Sequence, residues 1–225
     1  MPKPTFFKLP EPKRARIVAA AIEEFSSVPY AKATLDNIVE AAGVSKGSMY
    51  QYFAGKADLY RWLLTDVMGA RKGEAIAAHA PGPDASIWDV LEAAFLAGLR
   101  FAMAQPQLTR LGARFMRDAA EPELEEIAAA NAAAGQAYIA SLLEAGKVRG
   151  ELRDDLDIAV TSRFVAHALG EGMLEQIAGR LGMSLQEYLA TPNATQRLSE
   201  EEIVQLVRHV IGLLRDGAGA KGAEQ

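Results

Sequence analysis

The 225-residue sequence predicts an all-α chain, with an N-terminal three-helix helix-turn-helix domain and a C-terminal helical domain. Three observations carry that fold class. Apolar residues recur at helical spacing from residue 13 to residue 214, and no stretch alternates as a half-buried strand would. Alanine, the strongest helix former, is abundant, while proline and glycine collect at a few discrete breaks. Two short amphipathic segments meet at Gly43 with the spacing of a tight interhelical turn.

The elements follow in order. Residues 1–12 carry Pro2, Pro4, Pro10 and Pro12 and read as an extended arm. A first helix fits Lys13–Ser26, with Ile17, Val18, Ala21, Ile22 and Phe25 on one face; Pro29 ends it. Thr34 stands at the N-cap of a second helix, and Asp36 complements the dipole in its first turn. Leu35, Ile38, Val39 and Ala42 form its stripe, and Gly43 stops it in the left-handed conformation that glycine adopts cheaply. Ser45 opens a third helix running to about Phe53, and a longer one fits Lys56 or Ala57 to about Ala78. Beyond Pro81-Gly82-Pro83, helices fit 87–104, 107–119, 123–145, 155–181, a short 184–189 and 200–214. Residues 216–225 read as a frayed tail.

Composition removes several function classes. There is no cysteine, so disulfides, thiolate metal sites and cysteine nucleophiles are excluded. No stretch approaches ~18 uninterrupted apolar residues, so no membrane span is expected. Met1–Pro12 lacks the apolar core of a secretory signal, and a cytoplasmic location follows as the expectation. His79, His167 and His209 fall on three different expected helices, and no Ser-centred elbow or phosphate-binding glycine loop follows a strand. No catalytic residue, cofactor or metal site is expected. The formal net charge of −5 argues at first against a polyanionic partner.

The informative segment is Thr34–Phe53, TLDNIVEAAGVSKGSMYQYF. Its second helix has an unusual outer face: Ser45, Lys46, Gly47, Ser48, Tyr50, Gln51 and Tyr52 are small, polar or phenolic, and only Met49 and Phe53 look core-facing. Docking in a DNA major groove supplies a reason. Gly47 permits close backbone approach, Lys46 offers charge to phosphate or guanine, and Ser45 and Ser48 can donate to phosphate oxygens. Tyr50 and Tyr52 can hydrogen-bond phosphates, and Gln51 can read adenine bidentately. Lys56 opens the next helix and is placed for another phosphate. Short helices rich in Ser, Gly and Tyr also occur in proteins that never touch DNA, and spacing alone does not separate the two.

These residues also carry a resemblance. KRARIVAAAIEEFSS, then Tyr30, then ATLDNIVEAAGVSKGSMYQYFAGKADLY resemble the N-terminal domain of TetR-family transcriptional regulators, over about Lys8 to Thr65. Pro29 departs from the glycine usual before the aromatic, and Val39 from a usual small residue; neither lies on the recognition helix. The resemblance implies a regulator rather than an enzyme, with a DNA-binding domain over 13–60 and a ligand-binding and dimerisation domain over 61–215. It places Thr34 and Lys56 on phosphates, and Ser45, Lys46, Gly47, Ser48, Tyr50, Gln51 and Tyr52 on the recognition-helix contact positions.

The implied partners are a double-stranded palindromic operator, a small hydrophobic effector, and a second copy of the chain. The dimer is expected through the helices near 155–181 and 200–214, where Gly170 and Gly172 would allow close approach. Candidate effector-pocket residues are Phe95, Leu99, Met103, Phe115, Met116, Asn131, Tyr138, Phe164 and His167. Aromatic and methionine stripes of this kind also occur as plain core, and His167 with Glu171 fits a dimer interface equally well. Effector binding would shift the population of dimer states, with coupling through the helix at 56–78.

Charge is polar along the chain. Residues 1–60 hold eight Lys/Arg against six Asp/Glu, a net of +2, and the remainder carries −7. Residues 1–16 hold Lys3, Lys8, Lys13, Arg14 and Arg16 against Glu11 alone. That basic arm reads either as a DNA-contacting extension or as a solubilising disordered tail.

Overall fold

A computed structural model of the chain describes residues 1–191 and 193–219. Its order is α1 (Pro4–Phe7), α2 (Glu11–Ser27), α3 (Leu35–Ala42), α4 (Lys46–Tyr52), α5 (Lys56–Trp62), α6 (Ala70–Ala78), α7 (Ile87–Ala104), α8 (Pro106–Asp118), α9 (Glu125–Val148), α10 (Ile158–Leu169), α11 (Glu171–Arg180), α12 (Leu185–Ala190) and α13 (Glu200–Ala218). A widened π-helical segment, Leu63–Gly69, joins α5 to α6, so the helix expected over 56–78 is continuous. Among the described residues there is no β-strand; Leu152 and Gly219 form an isolated antiparallel bridge.

The chain divides into two compact units. The first comprises residues 1–73 and 104–128, and the second residues 74–103 and 129–225. The expected division at 60/61 is therefore not where compactness divides the chain. In the first unit α2 packs on α3 and on α8. Ile17, Ala21, Ile22 and Phe25 of α2 are buried, as are Leu108, Leu111 and Phe115 of α8 at i, i+3 and i+7. That spacing is the reason α8 joins the head: its apolar stripe needs a second helix to cover it. Phe25, Tyr30, Tyr60 and Phe115 form an aromatic chain within this core, with Phe25 and Tyr60 centroids 4.5 Å apart.

The second unit is built on Ile87, Leu91 and Leu99 of α7, Ile139 and Leu143 of α9, Val165 and Leu169 of α10, Met173 and Ile177 of α11, and Ile203, Leu206, Val207 and Ile211 of α13. Gly146 lets α9 lie against α7: a Cβ there would stand 3.1 Å from Ile87 Cβ. Helices α10, α12 and α13 start from side-chain caps. Asp157 accepts from Val160 N at 3.0 Å, and Ser184/Glu187 and Ser199/Glu202 form capping boxes on α12 and α13.

Three expectations are corrected. Residues 1–12 are not an extended arm: Pro4 sits at the first helical position of α1, where a missing N–H costs nothing, and Phe6 is fully buried. The helix expected over 155–181 is two helices, because Gly170 (φ −92°, ψ −105°) interrupts it; a Cβ there would lie 2.8 Å from Ala166 O. Residues 216–218 are not frayed tail but the last turn of α13, and Arg153 N donates to Ala218 O at 3.1 Å. Residues 220–225 of the expected tail lie outside the described residues.

Candidate nucleic-acid interface

The interface is assembled by α3 and α4. Thr34 caps α3, accepting from Asn37 N at 3.1 Å. Gly43 ends it with φ 64° and ψ 42°, and Val44 N closes back on Val39 O at 3.0 Å. The chain therefore reverses within two residues and presents α4 at once. Ser45 caps α4: Ser48 N donates to its Oγ at 3.3 Å, and the two hydroxyls lie 2.7 Å apart.

Helical geometry sorts the side chains of α4. Met49, Tyr52 and Phe53, at i, i+3 and i+4, are buried. Ser45, Lys46, Gly47, Tyr50 and Gln51 are exposed and Ser48 is half-buried, so they share the outer face. Tyr52 is thus a correction. The sequence reading placed it on the contact face, but its ring packs 5.9 Å from the Phe6 centroid, where the α1 segment covers it.

The exposed face is not inert. Lys46 Nζ lies 2.7 Å from Asp36 Oδ1 on α3, and that carboxylate raises the ammonium's pKa. A Cβ added at Gly47 would meet no atom of this chain within 4 Å. The chain's own packing therefore gives no reason for glycine there, at the second position of α4. Lys56 is half-buried: its Nζ donates to Tyr30 O at 2.9 Å and sits 4.1 Å from the Tyr30 ring centroid. Tyr30 is in turn fixed through its hydroxyl, which donates to Glu123 Oε2 at 2.6 Å, and its N–H, which donates to Asp118 Oδ2 at 2.8 Å. Burial, then the Glu123 carboxylate, raise the Tyr30 pKa.

Sequence reasoning missed two residues here. Lys3 and Thr5 both donate to carbonyls of α4. The signal was present: Phe6-Phe7 is a large aromatic pair in the segment, and Phe6 is the buried anchor.

The candidate effector residues are divided between the two units. Phe115 and Met116 belong to the first unit, the other seven to the second. Leu99 and Phe115 are buried; Phe95 and Met103 are half-buried, packed against the second unit's core. Asn131, Tyr138, Phe164, His167 and Met116 are exposed, Phe164 by 64%. The expectation that these five face an interior is corrected: a helical stripe has two edges, and each of these lies on the outer one.

Among the described residues, no cluster of His, Asp and Glu has the grouping of a metal site, and no helix is long and apolar enough to cross a membrane.

The comparisons with known proteins agree with this geometry. The family model described as bacterial regulatory proteins, tetR family, matches residues 17–62, which hold α3, α4 and most of α2. The HTH-type transcriptional regulator SrpR of Pseudomonas putida is 41% identical over 54 residues, 24% of this chain and 25% of SrpR. The match therefore spans about a quarter of that relative's length. Among solved structures, a TetR family transcriptional regulator of Chloroflexus aurantiacus superimposes with a TM-score of 0.69 at 26% identity, covering 98% of this chain and 100% of its own. NalD of Pseudomonas aeruginosa has the same fold, with a TM-score of 0.65 at 22% identity, covering 94% of this chain and 100% of its own. The helix-turn-helix and the all-helical fold thus lead to one conclusion: residues 17–62 match the tetR family of bacterial regulatory proteins, and the described chain shares the fold of the TetR family regulator of Chloroflexus aurantiacus.

Proposed function

We propose that the chain is a dimeric transcriptional regulator that binds a palindromic operator through α4 and is released from it by a small apolar effector. One observation carries the DNA-binding half. The outer face of α4 presents Lys46, Gly47, Tyr50 and Gln51 to solvent, with a glycine that nothing in the chain requires. On this reading Ser45, Ser48, Thr34, Tyr50 and Lys56 hold phosphates, while Lys46 and Gln51 address base edges.

The second unit is proposed as the effector-binding and dimerising part. Val160 and Phe164, at i and i+4 on α10, and Leu213 on α13 leave large apolar side chains in water. A second copy related by a two-fold axis would cover them and supply the second recognition helix for the other half-site. Phe95, Leu99 and Met103 of α7 are the residues proposed to meet an effector, whose apolar character follows from theirs. NalD is described as a repressor of a multidrug efflux pump, and repression is adopted here for the same fold.

Selection of bound duplexes from a random library tests this reading. The expected product is an inverted repeat with half-sites about one helical turn apart. Recovery of no enriched sequence would overturn it.

A further inference from the structure

A helix as short as α4 is marginal by itself, and its last four carbonyls have no partner inside the helix. In this protein all four are satisfied, and three of the donors come from a segment about fifty residues upstream. Phe53 N donates to Met49 O at 2.8 Å, the one local bond. Lys3 Nζ donates to Tyr50 O at 2.7 Å, Thr5 Oγ1 to Gln51 O at 2.6 Å, and Lys3 N to Tyr52 O at 2.8 Å. The Lys3 ammonium also places a positive charge at the negative end of the helix dipole.

The segment is anchored beside the helix it caps. Phe6 is fully buried, with its ring centroid 4.9 Å from Phe53 and 5.1 Å from Trp62. Pro4 opens the single turn of α1 that aims Lys3 and Thr5 at α4.

We propose that Lys3, Thr5 and Phe6 are positioning residues for DNA recognition: they form a detached C-terminal cap that holds the Tyr50–Gln51 end of α4 in the orientation that reads DNA. This deepens the proposed function and rests on α4 being the DNA-reading helix. The basic arm then contributes to affinity through the recognition helix, with the Lys3 ammonium turned toward a backbone carbonyl rather than a phosphate.

The test uses the full chain with Thr5→Val, which keeps the shape and removes the donor, Thr5→Ser as rescue, and Lys3→Met. Two measurements are made: amide hydrogen exchange of residues 50–53 in the free protein, and affinity for a duplex selected by the wild type, across a salt series. Thr5→Val is expected to speed exchange there and weaken DNA binding, each by about five-fold, the net worth of one hydrogen bond. Thr5→Ser restores both. Lys3→Met weakens binding with the slope of log affinity against log salt unchanged, whereas a phosphate contact would lower that slope by about 0.9. Unchanged exchange in Thr5→Val, or a lowered slope in Lys3→Met, would overturn the proposal. A wild type that binds no duplex removes the underlying reading and the proposal with it. A wild type that binds, with variants that bind equally well, removes the proposal alone.

Discussion

Lys46 on α4 is ion-paired to Asp36 on α3 at 2.7 Å, so the free protein holds the one cation of α4 on its own carboxylate. Both partners are more than half exposed, so the pair adds little to stability. On the proposed reading its consequence lies in binding: a phosphate or a guanine would compete with Asp36 for the ammonium. Asp36→Asn frees Lys46 and removes a negative charge from the DNA-facing edge while keeping a polar residue in the first turn of α3. Tighter binding to non-specific duplex is expected, by several-fold at low salt and less as salt rises. Fluorescence anisotropy against a scrambled duplex measures it, and weaker binding would contradict the competition.

Gly47 separates folding from function. Alanine there meets open space in the free chain, so Gly47→Ala is expected to stabilise the fold, by about 0.5–1 kcal/mol. On the proposed reading the same methyl would meet the DNA backbone, so operator affinity is expected to fall at least ten-fold. Thermal melting and a binding titration on one sample read the two effects. A variant with both higher stability and full affinity would remove Gly47 from the interface.

Tyr30 locks the base of the head. Tyr30→Phe removes the hydroxyl that donates to Glu123 and keeps the ring stacked on Phe25 and Tyr60. A loss of about 1 kcal/mol is expected in urea unfolding, with the midpoint lowered and the slope unchanged.

The α13 capping box makes stability acid-sensitive. Glu202 accepts from the Ser199 hydroxyl at 2.7 Å and from Ser199 N at 2.8 Å, and these bonds hold its carboxyl below the usual range. A carboxyl depressed in the fold stabilises above its unfolded pKa of about 4.3 and loses that contribution as pH falls through its folded value. Glu202→Gln should therefore melt below the wild type at neutral pH, and the difference should close as pH falls below about 4. A difference that stays constant would assign it to something other than the charge.

Phe164 distinguishes interface from pocket. On the dimer reading, Phe164→Glu places a charge against a second copy and gives a monomer in sedimentation velocity, with the helical spectrum intact. A dimer that persists would move the interface away from α10.

The head was legible in the sequence because its signals are local. Thr34, Gly43 and Ser45 each fix a cap or a turn within a few residues, and each does so in the structure. What was not legible depends on partners distant in sequence. Tyr52 looked outward because its neighbour Phe6 lies about fifty residues upstream, in a segment whose prolines suggested an open arm. The stripe of α8 gave its helix but not the unit it would join, because α2 covers it from far upstream. Phe164 and Tyr138 showed an apolar period but not which edge of the stripe meets the core. The break at Gly170 was a matter of backbone geometry, since glycine permits it without requiring it.

The central claim is that the outer face of α4 reads DNA. The most direct measurement is the affinity of the wild type, Lys46→Ala and Gln51→Ala for the selected duplex and a scrambled one, between about 50 and 200 mM salt. The account predicts salt-dependent binding by the wild type, a slope smaller by about 0.9 for Lys46→Ala, and a Gln51→Ala variant that loses discrimination between the duplexes at an adenine position. Salt-independent binding, or both variants indistinguishable from the wild type, would contradict it.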